Sequence, residues 1–370
     1  MQETQPLATR LLKALSEGQP LDALIAEAVD GPPPSLDTLK AELQTLIESS
    51  PTPQEALTNE VLDKLREIRA HRPPPQARPF YHINEPEPEQ ILTAHGQKGP
   101  LLTAGMVGIL AGAGGTGKSR LAAQMALTIA DPSRDELEPT TDGLWGPAQS
   151  GPVLLATYED APASTAHRLK RLAAHFDVHD APVHILDLQG WPLFGPDEAT
   201  PYAARPSRLP GFAILAAAAE AVEPCLIIID PALSAYVGEQ NAATPVREFV
   251  AALAQLARQH AAAVLLVAHS TKAGRADSDP FDAGQISGSA AWHDAARAAL
   301  VLTRDRDGDR WTLAISKANY GPALLSAEFK DQWPAFRTGD RLPVWINRDS
   351  QTDDDAPKNK GADFEPSKLI

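Results

Sequence analysis

Between residues 108 and 121 the chain reads Gly-Ile-Leu-Ala-Gly-Ala-Gly-Gly-Thr-Gly-Lys-Ser-Arg-Leu. Gly112 through Ser119 match G-x-x-x-x-G-K-[ST] at every fixed position. The flanks agree, with an apolar strand run at 106–110 and a helical pattern at 119–130. Few patterns restrict a fold as strongly, because a buried strand must run into a glycine turn and straight on into a helix. Gly112, Gly114, Gly115 and Gly117 carry no Cβ to obstruct backbone N–H groups that curl around a phosphate at the helix N-terminus. Lys118 is expected to reach the β- and γ-phosphates, and the Ser119 hydroxyl to ligate Mg²⁺. The expected contacts to a nucleoside triphosphate are therefore Gly112, Ala113, Gly114, Gly115, Thr116, Gly117, Lys118, Ser119 and Arg120.

Downstream, apolar runs at 152–157, 183–188, 226–229, 263–268, 298–302, 311–316 and 324–329 read as strands. Helical spacing occupies 163–176, 212–221, 246–259 and 290–296. Strand and helix alternate, and the apolar runs lack polar alternation. The fold class is thus α/β, with a mostly parallel central sheet covered on both faces. Such sheets bind ligands at the carboxyl ends of their strands. Residues 131–150, rich in Asp, Pro, Thr and Gly, read as a surface loop, and 189–210 as an irregular Pro-rich stretch.

Upstream, residues 1–72 carry helix-period patterns, such as Leu7, Leu11 and Leu15, or Val61, Leu62, Leu65 and Ile68. They predict a small all-helical N-terminal region, a bundle or docking platform with no visible chemistry. Prolines 73, 74, 75, 79, 86 and 88 make 73–89 a stiff linker. The nucleotide-binding domain then spans 90–346. The last segment, 347–370, acidic then basic with few apolar residues, reads as a disordered tail.

Charge restricts the partners. Against 33 Lys and Arg stand 48 Asp and Glu, a net charge of −15, which argues against a protein that coats DNA over its whole outer surface. Contact with nucleic acid would need a local basic patch, such as loops lining a channel. No apolar run approaches the roughly 18 residues of a membrane span. The first 30 residues contain Glu and Asp and lack an apolar run, so no signal peptide is expected. The one cysteine, Cys225, precedes an apolar strand run, which points to a buried thiol and a reducing, cytoplasmic setting.

Several polar groups close strands. Asp230 ends Leu-Ile-Ile-Ile-Asp, the usual form of a Walker B element, where a carboxylate would hold Mg²⁺ together with Ser119. Glu159, at the end of the strand after the P-loop helix, is placed to polarise a water against the γ-phosphate. Asp160 competes for that task, but as the neighbour of a helix start it could instead cap N–H groups. His269, followed by Ser270 and Thr271, could contact the γ-phosphate and relay its loss into the next loop. That loop carries Lys272 and Arg275, which suit single-stranded DNA, although Asp277, Asp279 and Asp282 nearly cancel their charge. Lys317, at the end of the strand over 311–316, could be presented to a neighbouring subunit's phosphates, with Arg304 and Arg306 as alternatives.

In order, Gly-Ala-Gly-Gly-Thr-Gly-Lys-Ser, Thr-Tyr-Glu-Asp, Leu-Ile-Ile-Ile-Asp-Pro, Leu-Leu-Val-Ala-His-Ser-Thr-Lys, Ile-Ser-Gly-Ser-Ala-Ala-Trp and Ser-Lys-Ala-Asn-Tyr-Gly resemble the RepA-like AAA ATPases, which have a RecA-like P-loop core. These include hexameric replicative helicases of plasmids and phages. The resemblance covers roughly residues 90–330. It implies that ATP is the nucleotide, that Glu159 is the catalytic glutamate, Asp230 the Walker B acid and His269 the sensor, and that the Lys317 segment offers a finger to the next subunit. It also implies a homo-oligomer, expected to be a hexamer, with single-stranded DNA in a central channel. The N-terminal helices lie outside the resemblance and could dock a replication partner. The alternative is a nucleotide-gated DNA- or partner-binding module, such as a helicase loader or regulatory ATPase, without unwinding activity.

Overall fold

The computed structural model of the protein describes residues 86–134, 139–140, 142–146, 150–196, 207–239, 242–269, 281, 290–305, 310–321, 323–332, 334–337 and 345–347. The chain divides into two units, Met1–Pro86 and Glu87–Ile370, and the second holds the elements below. The expected N-terminal helices, most of the proline linker and the C-terminal tail lie outside the described residues.

In chain order the strands are β1 (Gln90–Leu92), β2 (Leu102–Thr103), β3 (Val107–Gly112), β4 (Val153–Thr157), β5 (Val183–Asp187), β6 (Phe194–Gly195), β7 (Ser207–Arg208), β8 (Leu226–Asp230), β9 (Ala263–His269), β10 (Ala298–Arg304), β11 (Trp311–Ala318), β12 (Leu325–Gln332), β13 (Ala335–Arg337) and β14 (Ile346–Asn347). The helices are α1 (Lys118–Ile129), α2 (Pro162–Phe176), α3 (Pro210–Val222), α4 (Ala232–Ala235), α5 (Ala243–Gln259) and α6 (Ala290–Ala295). The expected strands and helices of the core are all present, with bounds moved by a few residues.

The main sheet runs β13-β12-β11-β10-β3-β9-β8-β4-β5, and β14 pairs with β12. From β10 to β5 every neighbouring pair is parallel, while β11, β12 and β13 extend the sheet antiparallel. Such a mainly parallel α/β sheet, fed by a P-loop, is a RecA-like core. Along β8, Leu226 and Ile228 enter one hydrophobic cluster together with α1 and α2. Ile227 and Ile229 enter a second, with α3 and α5. Burial of each such side chain contributes about 1.5–3 kcal/mol, so a strand covered on both sides tolerates no polar alternation. The edge strand β5 is only half-covered, and His184 and Asp187 on it are exposed.

One expectation fails. The segment 131–150 is not wholly a surface loop in its described part: Pro132 and Ser133 are exposed, but Asp131, Thr140, Asp142, Leu144 and Trp145 are buried. Its buried carboxylate is met by donors from the segment itself and from α1. The Asp142 carboxylate accepts hydrogen bonds from Thr140 Oγ1 at 2.7 Å, the Leu144 amide at 3.0 Å and Gln124 Nε2 at 3.0 Å. Burial pushes the Asp142 carboxyl above the ordinary carboxylate range, and those hydrogen bonds oppose it. Trp145 packs against Trp345, with ring centroids 5.9 Å apart, and both rings are buried. Within 189–210, β6 and β7 form a short antiparallel pair, an order that the Pro-rich composition hides.

Candidate active site

The P-loop is held between the two neighbours that its glycines allow to approach. At Gly112 a Cβ would stand 2.5 Å from the Leu302 carbonyl oxygen of β10. Gly117 has φ +92°, and a Cβ there would stand 2.8 Å from the Phe336 ring of β13. Trp311 Nε1 donates to the Thr116 carbonyl at 2.9 Å, so the start of β11 also grips the loop. Inside the turn the Ala113 carbonyl accepts from Thr116 Oγ1 at 2.9 Å and from Lys118 Nζ at 2.8 Å. Helix α1 starts at Lys118 with no side-chain cap and no acidic residue in its first turn. Its N-terminal amides and positive dipole end are thus left to an anion. Lys118 is buried, and burial pushes its pKa below the ordinary 10.5 although Asp230 and Glu159 oppose this. A polyanion in the cleft would relieve that strain on its charge.

A cleft of about 380 Å³ opens over the loop. It is lined by Gly115, Thr116, Gly117, Lys118, Ser119 and Arg120 together with Glu159, Asp230 and His269. These residues come from the carboxyl ends of β4, β8 and β9, as expected. Strand pairing sets their order across the sheet. Strand β9 pairs directly with β3, with His269 in register with Gly112. Asp230 on β8 is one strand further, and β4, which leads to Glu159, is further still. Neither acid is on a strand adjacent to the P-loop strand, because β9 and β8 are inserted between β3 and β4.

Asp230 and Ser119 line the same cleft, and burial raises the Asp230 carboxyl above 3.8 while the nearby Ser119 hydroxyl opposes this. Two hard oxygen donors thus stand beside the phosphate cradle. This fits Mg²⁺, which takes one or two protein oxygens and completes its shell with phosphate and water. No group of three or more His, Cys, Asp or Glu side chains suited to a metal occurs among the described residues, so a fully protein-made cage is not the alternative there.

The paired acids are separated by their partners. Glu159 is exposed at the cleft, and its Oε1 accepts from Ser234 Oγ at 3.3 Å. Asp160 Oδ2 accepts from Arg168 Nη2 at 2.7 Å. Asp160 does not cap α2: the N-cap is Ala161, without a side-chain cap bond. Arg168 and Ser234 carried no signal in the sequence. The long arm of Arg168 reaches back from the second turn of α2 past the helix start, and Ser234 arrives from the turn after Asp230.

Arg304 also lines this cleft, with its guanidinium 4.5 Å from the centre of the Trp311 ring. In this chain it stands at the P-loop cleft, on the opposite side of the sheet from Lys317. Arg120 lies 3.9 Å over the Phe336 ring at the same cleft. Arg306, Lys272 and Arg275 lie outside the described residues.

Lys317 is at the other edge of the sheet. In register it pairs with Ala299, and Ala299 with Ile109, three residues before Gly112. At about 3.3 Å per residue this is roughly 10 Å below the start of the loop. It lies away from the carboxyl-end groups because β11 returns antiparallel to β10. Its Nζ donates to the carbonyls of His293 at 2.8 Å and Asp294 at 3.0 Å, in the last turn of α6. Burial lowers its pKa. A larger groove, about 970 Å³, opens toward this edge and is lined by Arg247, Arg258 and Arg297. It has neither a glycine turn nor the Ser119–Asp230 pair, so volume is a poor guide to the chemistry.

Among the described residues no helix is long and apolar enough to cross a membrane. A family model described as an AAA domain matches residues 86–275, just over half of the chain.

Proposed function

The chain belongs to the AAA domain family of P-loop ATPases, and from that premise we propose that it hydrolyses ATP as a RepA-like ring and couples turnover to movement along single-stranded DNA. The observation that carries the proposal is the ordered set along the carboxyl edge of the sheet: Lys118, the Ser119–Asp230 pair, Glu159 and His269 around one cleft. In this reading the P-loop amides and Lys118 hold the β- and γ-phosphates. Ser119 and Asp230 hold Mg²⁺, which when bound offsets phosphate charge. Glu159 takes a proton from a water whose oxygen forms a bond to the γ-phosphorus. The bond from that phosphorus to the β,γ-bridging oxygen breaks, and ADP leaves with the electron pair. His269, in register with Gly112 on the adjoining strand, reports the phosphate to the loop that follows β9.

The oligomeric part of the proposal is supported by Lys317. From the opposite edge of the sheet it cannot serve the cleft of its own chain. A role at a phosphate therefore requires a neighbour packed head to tail, a contact that closes into a ring when the rotation allows. Lys272 and Arg275 would supply the DNA contact and the N-terminal helices a replication partner.

The test is ATP hydrolysis with and without single-stranded DNA, strand displacement on a forked duplex, and mass measurement with and without ATP. Stimulated turnover, displacement and a ring mass support the motor. Turnover without displacement would leave a nucleotide-gated binding module.

A further inference from the structure

Glu159 and Asp160 are adjacent acids in the same turn, and the structure gives each a different keeper. Arg168 holds Asp160, whereas Ser234 holds Glu159. Ser234 sits four residues after Asp230, on the single helical turn α4. That turn is firmly seated. Ala232 and Ala235 are fully buried, and the Ser234 amide donates to the Pro231 carbonyl at 3.3 Å. The Ala235 carbonyl accepts from Leu193 at 2.8 Å. Next to it, Tyr236 packs with Phe194, Phe249 and Trp292, with ring centroids 5.5–6.4 Å apart. The Ser234 hydroxyl is thus carried on a seated backbone, while Glu159 is an exposed side chain at the end of a strand with several rotamers open to it.

We infer that Ser234 is a positioning residue for the base: its hydroxyl fixes one oxygen of Glu159 and leaves the other turned to the attacking water. Because α4 follows directly from Asp230, the same turn ties the base to the metal-side carboxylate. A move of either acid is transmitted through four residues of backbone. This inference rests on the hydrolytic reading of the cleft.

The effect should lie in kcat and not in nucleotide affinity, since Ser234 is absent from the lining of the cleft. One hydrogen bond to a carboxylate predicts a fall in kcat of roughly five- to twentyfold for Ser234→Ala, allowing for an exposed acceptor. KM and the affinity for a fluorescent ATP analogue should stay within about twofold of wild type. Ser234→Thr, which keeps the hydroxyl, should recover most of the rate. The decisive arm is a double-mutant cycle. If Ser234 acts only through Glu159, Ser234→Ala should change nothing further in a Glu159→Gln background.

Equal fractional losses in both backgrounds would overturn the inference, and so would a normal kcat for Ser234→Ala. A loss of binding and thermal stability in Ser234→Ala, unrepaired by Thr, would make the residue merely structural. Failure of the underlying reading has a different signature. Glu159→Gln would then hydrolyse ATP at the wild-type rate, whatever Ser234 does.

Discussion

Gln124 and Phe336, 212 residues apart, exchange two hydrogen bonds. The Gln124 Oε1 accepts from the Phe336 amide at 2.9 Å, and the Gln124 Nε2 donates to the Phe336 carbonyl at 3.2 Å. The same Nε2 donates to Asp142. One fully buried side chain of the P-loop helix therefore fastens both the β13 strand and the buried 131–150 segment. Beside it, the Phe336 ring closes on Gly117 and Arg120.

Gln124→Ala should be strongly destabilising. It leaves a buried amide, a carbonyl and a carboxylate short of a partner, and each such group costs about 1–3 kcal/mol. A loss of roughly 3 kcal/mol in unfolding free energy is expected by denaturant titration. A loss below about 0.5 kcal/mol would show that the β13 strand is not tied to the helix as described.

The part of this molecule that was legible in the sequence is the part where one residue type can do one thing. Leu226 to Ile229 reads as a covered strand, and Gly112 to Ser119 as a turn from strand into helix, and the structure has both. Asp142 and Trp145 were unreadable because burial of an acid depends on Gln124 and Thr140 arriving from elsewhere. Strand order was equally hidden. Nothing in β4 says that β9 and β8 will lie between it and β3. The edge on which Lys317 lies is equally hidden, because a strand's direction comes from pairing, here with β10, and not from its own residues. Glu159 and Asp160 could be told apart only by Ser234 and Arg168, which reach them from other elements.

Lys118 offers a test that separates fold from binding. Its folded pKa lies below 10.5, so between that depressed value and 10.5 the folded state holds fewer protons than the unfolded one. Stability from this group therefore rises with pH across that window, and at neutral pH the buried charge is a cost. Lys118→Met should remove the cost, so that without nucleotide the variant is as stable as wild type or more so near pH 7. Its advantage should shrink toward pH 10. With ATP at a hundred times Kd, wild type should gain about 2.7 kcal/mol, and the variant almost nothing. A variant stabilised by ATP to the same extent would contradict the phosphate role.

Mixing experiments test the assembly. A Lys317→Ala subunit keeps an intact P-loop but fails its neighbour, and a Lys118→Ala subunit does the reverse. Each alone should be nearly inactive, and ATPase activity should reappear on mixing, most strongly near equal proportions. A charge on the transferring phosphoryl can be worth about 10³–10⁵ in rate, so recovery should be plain. Ordinary activity of Lys317→Ala would leave the lysine as a cap on the carbonyls of His293 and Asp294. Mixed rings that stay inactive would contradict a role in trans.

The most direct test of the account is single-turnover hydrolysis by Glu159→Gln, with nucleotide affinity measured on the same sample. The amide keeps the size of the side chain and can still accept the Ser234 hydrogen bond, but it is a poor base. ATP should bind within a few-fold of wild type while the chemical step slows by about two orders of magnitude or more. An unchanged rate would contradict Glu159 as the base and turn attention to Asp160, released from Arg168.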